Sequence, residues 1–272
     1  MKFKERNYLI WSLGYLIITM MSCSSYNVKP NMAPEERFAL AKKMFENRDF
    51  FEAKTQFKIV TLNNPGIHFV DEVQYYLAEA HFYLKEYIIA ADEYSRLIRL
   101  YPKSQWADDA EYKIGYCYFK LSPKASLDQK YTHQAIENFQ RFLEDFPNSE
   151  LVPKAEKMLK TCRTKLAKKE YKAGELYRRL NNYTAALVYF NSVLENYYDT
   201  QYAEPAHFWK GETLYKLDRK EEALESFKEF LRKYPNSKYL GKVRNRIHEV
   251  NSSVLNVHET DGKTILSKQS KN

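Results

Sequence analysis

Histidine and cysteine are the residue types in this 272-residue chain best suited to metal or nucleophile chemistry, and their spacing supports neither. His68, His81, His133, His207, His248 and His258 form no His-x-x-x-His pair, and no cysteine or carboxylate stands at metal-site spacing from them. The chain has no glycine-rich phosphate loop and no Gly-x-Ser-x-Gly elbow. No catalytic residue, metal or cofactor is therefore expected. Cys117 and Cys162 stand 45 positions apart inside helical apolar patterns, and are read as buried apolar residues rather than a disulfide.

Charge is the chemistry that remains. The formal net charge is +8, and between Lys154 and Arg179 ten Lys or Arg stand against three Glu, so +7 resides in this one helical region. One reading is a solvated helix face. The other is a docking surface for an acidic partner domain or anionic headgroups, favoured by long-range steering. Its candidate residues are Lys165, Lys168, Lys169, Lys172, Arg178 and Arg179.

The elements that would carry these groups are set by an internal repeat. A small residue, Ala twelve positions later and an aromatic four further on recur as Ala41, Ala53, Phe57, then Ala78, Ala90, Tyr94, then Gly174, Ala186, Phe190, then Gly211, Ala223, Phe227. A fifth set, Gly115, Ala135, Phe139, departs only by eight extra residues, 122–129. Pro65, Pro102, Pro147 and Pro235 follow eight residues after four of the five aromatics and forbid helix continuation there. Small residues inside apolar helical patterns let paired helices cross closely, and one hairpin buries its apolar face only by stacking on the next. The pattern resembles the tetratricopeptide repeat, a helix-turn-helix unit of about 34 residues. The fold expected is all-α, a right-handed α-solenoid of five tetratricopeptide-like hairpins.

Joints and boundaries follow. Tyr101-Pro102-Lys103-Ser104, Phe146-Pro147-Asn148-Ser149 and Tyr234-Pro235-Asn236-Ser237 each stop one helix and offer a Ser to cap the next. A helical pattern from about Leu151 to Leu180 joins the third and fourth units. At the N-terminus Lys2, Lys4 and Arg6 precede an apolar run from Tyr8 to Met21, too short for a span and right for a secretory signal. Met20-Met21-Ser22-Cys23 resembles a bacterial lipobox, which makes Cys23 the lipidated residue. The division read is 1–22 signal peptide, 23–33 flexible tether, 34–250 solenoid and 251–272 mobile tail. Its repeats lie at about 34–66, 71–104, 108–149, 150–200 and 204–250.

Repeat register also places an aromatic ladder. Three positions before each first small residue stand Phe38, Tyr75, Tyr112, Tyr171 and Phe208, and four after it Phe45, Phe82, Phe119, Arg178 and Tyr215. In tetratricopeptide units these positions line the concave side, so Phe38, Phe45, Tyr75, Phe82, Tyr112 and Phe119, with Lys42, Glu79 and Tyr116, are candidates for a peptide groove. The competing reading is that rings at helical spacing belong to the core.

The lipobox, the five repeats, the run from Phe146-Pro-Asn-Ser-Glu150 to Lys165-Leu-Ala-Lys-Lys-Glu-Tyr-Lys-Ala-Gly-Glu-Leu-Tyr177, and Tyr183-Thr-Ala-Ala-Leu187 with Tyr197-Tyr-Asp-Thr200 resemble the BamD family. That family is the lipoprotein component of the outer-membrane β-barrel assembly machinery, and the likeness covers about residues 33–235. It implies a periplasm-facing adaptor held on the outer membrane by acylated Cys23. Its first repeats would recognise the C-terminal targeting signal of unfolded outer-membrane proteins, and its later repeats would dock on the periplasmic domain of the barrel-forming subunit. Where family members often carry an Arg for that docking, this chain has Val188, Tyr189 and Phe190, so that ion pair is not carried over. Nucleic acid is no expected partner of an exported chain. The rival readings are an envelope scaffold of the Tol-Pal type and a peptidoglycan- or glycan-binding lipoprotein.

Overall fold

A computed structural model describes residues 26–252, so the proposed signal peptide, Cys23 and the chain after residue 252 lie outside the described residues. All the regular structure in 26–252 is helical. The helices are α1 Pro34–Glu46, α2 Phe50–Asn63, α3 Val70–Tyr83, α4 Tyr87–Leu100, α5 Ala107–Leu121, α6 Lys130–Asp145, α7 Val152–Arg179, α8 Tyr183–Asn196, α9 Ala203–Lys216 and α10 Lys220–Lys233. A further helix, α11, occupies 240–252. Each helix packs chiefly on its chain neighbours, giving five antiparallel couples in an α-solenoid.

The repeated positions are the core. Ala53, Ala90, Ala135, Ala186 and Ala223 are fully buried, as are Phe57, Tyr94, Phe139, Phe190 and Phe227. The aromatic of each second helix presses on the small residue of its partner. A Cβ at Gly115 would stand 2.8 Å from the Phe139 ring, at Gly174 2.7 Å from Phe190, and at Gly211 2.4 Å from Phe227. Only a missing side chain lets these helices approach so closely. Cys117 and Cys162 are buried free thiols, their pKa values pushed by burial up to about 12 and about 11, which makes them inert packing groups.

Two kinds of joint hold the register. Within four hairpins a single residue takes the left-handed conformation, Arg48, Lys85, Asn181 or Asp218, and the next amide bonds a carbonyl five residues back, as Glu86 N to His81 O at 3.0 Å. In the third hairpin residues 122–129 replace that turn, and Gln129 Nε2 ties the loop by bonding Lys124 O and Leu127 O, both at 2.9 Å. Between hairpins, Ser104, Ser149 and Ser237 Oγ accept from Trp106, Leu151 and Tyr239 N at 3.2, 3.2 and 3.0 Å. The same hydroxyls donate to Asp71, Asp108 and Glu204 at 2.7, 2.7 and 2.6 Å, each in the first turn of the helix one hairpin earlier.

Helix α7 runs 28 residues and packs on both α6 and α8, so the third and fourth hairpins share one rod. Helix α11 covers the last couple through Val243 and Ile247. At the other end, the described part of the expected tether lies on the first hairpin. Buried Arg37 bonds Lys29 O at 3.0 Å and Pro30 O at 2.8 Å, and the Tyr26 hydroxyl donates to Asp49.

Candidate protein-interaction surfaces

The ladder divides by depth. Phe38 and Tyr75 are each only 9% exposed, and Tyr171 and Phe208 are also buried. Tyr75 stacks on Trp106 with centroids 4.5 Å apart and donates its hydroxyl to Asp109. These rings belong to the core, which is the role the competing reading gave them. Tyr112 is the exception in its set and remains half-buried.

Four residues after the small position the rings are half-exposed and touch one another across hairpins. Phe45 meets Phe50 and Tyr83 at 5.2 and 5.5 Å, and Tyr83 meets Phe82 at 5.8 Å. Phe82 stacks on Tyr116 at 5.7 Å, and Tyr116 on Phe119 at 5.9 Å and Tyr112 at 6.0 Å. The result is one aromatic strip crossing the first three hairpins. Ammonium groups lie over it: Lys42 4.9 Å from the Tyr76 centroid, Lys113 5.1 Å from Phe82, Lys120 5.0 Å from Tyr116 and Lys165 5.6 Å from Phe119.

Two of these cations are already paired. Lys42 lies 3.0 Å from Glu72. Lys113 lies 2.5 Å from Glu79, which is 6% exposed and also accepts from the Tyr94 hydroxyl. Glu79 thus holds the strip together from below and presents no carboxylate to a ligand.

The six docking candidates separate as well. Lys165, Lys168, Lys169 and Lys172 line a cleft of about 850 Å³ between α7, the 122–129 loop and the turn before α9. Lys165 Nζ donates to Ser122 Oγ at 2.6 Å and Lys169 Nζ to Leu127 O at 3.0 Å. Lys172 pairs with Glu175 at 2.6 Å. Burial lowers the Lys165 pKa. Arg178 is elsewhere, its guanidinium 3.9 Å from the Trp209 ring centroid, and Arg179 is exposed.

The family model described as YfiO, outer membrane lipoprotein, matches residues 30–223. The chain belongs to the YfiO family. Among curated relatives, the outer membrane protein assembly factor BamD of Caulobacter vibrioides is 25% identical over 210 residues, covering 75% of this chain and 69% of that one. The protein of the same name from Rickettsia prowazekii is 24% identical over 196 residues, 72% of this chain and 78% of its own. Among solved structures, the TPR2AB domain of yeast Sti1 in complex with pHSP90 aligns at TM-score 0.42 and 18% identity, over 81% of this chain and 84% of that one. PilW, a type IV pilus biogenesis factor, aligns at TM-score 0.36 and 15% identity, over 78% and 99%.

In this YfiO-family chain the strip includes Phe50, Tyr83 and Lys113, which repeat register does not single out. Phe50 and Tyr83 sit at hairpin turns, and a run of aromatics such as Phe82-Tyr83 is the signal that locates them. No cluster of three or more metal-binding side chains occurs among the described residues, and no described helix is long and apolar enough to cross a membrane.

Proposed function

We propose that this protein is an outer-membrane protein assembly factor, a non-catalytic adaptor held on the periplasmic face of the outer membrane by acylated Cys23. Its aromatic strip binds the C-terminal targeting signal of unfolded outer-membrane proteins, and α7 docks on the periplasmic domain of the barrel-forming subunit. The observation that carries the reading is the continuous row Phe45, Tyr83, Phe82, Tyr116 and Phe119 with ammonium groups over it. A targeting signal rich in aromatics and ending in a free carboxylate finds rings to pack on and cations to approach. Half-exposed rings held by their neighbours bind at small entropic cost, because little side-chain freedom is lost.

A photoreactive residue at Phe45, Phe82 or Phe119 should crosslink to a C-terminal peptide of a barrel protein. Labelling confined to probes on α4 and α6 would reject the strip. Depletion of the protein in cells should lower many outer-membrane barrels together, whereas a Tol-Pal-type or glycan-binding scaffold would leave their levels unchanged.

A further inference from the structure

The cleft beside α7 has a charge pattern that the fold does not use. Lys124 of the loop faces Lys165, Lys168 and Lys169, and the cleft walls contain no carboxylate. Among the described residues none of these four lysines forms an ion pair. Lys165 and Lys169 reach neutral oxygens of the loop instead. Clustered ammonium groups repel one another, and half-buried Lys165 has lost part of its water without gaining a counterion. Such a group is stabilised by an incoming anion more than an exposed one is.

Shape narrows the anion. Positions 165, 168, 169 and 172 recur along one helix face, so their ammonium groups form a row rather than a ring around one point. Neighbours on such a face stand about 5–6 Å apart. Carboxylates at alternate positions of an extended chain stand about 6–7 Å apart, a close match. The cleft follows α7 from Thr161 to Leu176, about 22 Å at the helical rise, which an extended peptide of about seven residues spans. Leu176, 49% exposed, and Tyr202 give it an apolar end wall. A flat bilayer does not reach recessed Lys165, and a single phosphate leaves most of the row unanswered.

We infer that this cleft is a binding site for a linear, extended polypeptide segment in which Asp or Glu alternates with apolar residues. The inference rests on the reading of α7 as a docking element and specifies the chemistry of what docks there: a strand-like stretch with its acidic side toward the lysine row and one end against Leu176 and Tyr202.

A fluorescein-labelled peptide of alternating Glu and Leu, titrated with the purified protein, tests it by anisotropy. The peptide should bind, its affinity should fall as salt is raised, and Lys168→Glu with Lys172→Glu should weaken it at least about tenfold. Lys154→Glu with Lys157→Glu, exposed on the same helix outside the cleft, should leave it unchanged. Circular dichroism checks that both double variants keep the wild-type fold. Equal binding of a Gln-Leu peptide, equal loss in the Lys154/Lys157 variant, or capture of phosphatidylglycerol vesicles without the peptide would overturn the assignment. The barrel-forming subunit's periplasmic domain is titrated against the same variants. If the cleft variant loses the peptide but keeps that domain, docking through α7 is refuted and the peptide site stands; loss of that domain with the Glu-Leu peptide never bound refutes the peptide site alone.

Discussion

His207 is 2% exposed on α9, its ring edge-on to Phe230 and Tyr234, and neither ring nitrogen has a hydrogen-bond partner among the described side chains. Burial lowers its pKa to about 4, and Glu229, 3.7 Å from Nε2, only partly offsets that. The unfolded chain therefore takes up a proton first as pH falls below the ordinary histidine value, and the native state loses stability between that value and about 4. At pH 5 the loss from this residue is about 2 kcal/mol. Urea midpoints should drop more from pH 7 to pH 5 in the wild type than in His207→Phe, and equal drops would show that the ring does not stay neutral. Repeat register sets His207 apart only as the polar residue just before the ladder ring Phe208, because its burial depends on α10 folding over it. The glycines were the opposite case. Gly174 and Gly211 were legible because each stands 16 positions before the ring that fills its space, and Gly115 because only the insert 122–129 lengthens its interval to Phe139.

Among the elements, the Tyr/Phe-Pro-x-Ser joints were legible as helix stops and caps, but only half of their role was. The capping bond is local and so is written in adjacent residues, whereas the bond from Ser149 to Asp108 spans 41 positions. Ser149→Ala removes both and should cost about 1–2 kcal/mol, read as a lower urea midpoint. Asp108→Ala alone should cost less, because the cap survives it. A Ser149→Ala effect no larger than that of Asp108→Ala would show that the cap contributes nothing. The inner turns were less legible, since Arg48 and Lys85 take a conformation that glycine or asparagine usually signals. The eight inserted residues were visible as a broken interval, yet their pairing with Lys165 and Lys169 depends on α7 passing beside them.

For the whole molecule, the helical pairing was fixed by periodicity, while the division of aromatics between core and surface was not. Phe38 and Phe45 lie two turns apart on one helix, and only the placement of α3 and of Phe69 just before it decides that the first is covered and the second half-open. Membrane attachment belongs to this scale too. A Cys23→Ala form should appear in the soluble fraction after high-salt washing, and its retention on membranes would rule out the lipid anchor.

The pinning of residues 26–30 onto the first hairpin sets how far the body can stray from such an anchor. Tyr26 is three positions after Cys23, and three Cα–Cα steps reach at most about 11 Å. With an acyl group on Cys23, as proposed, the leash is shorter than the hairpin it holds and would keep the turn around Asn47 and Asp49 near the headgroups. A peptide held on the strip, as proposed, would then stay within a bounded distance of the bilayer.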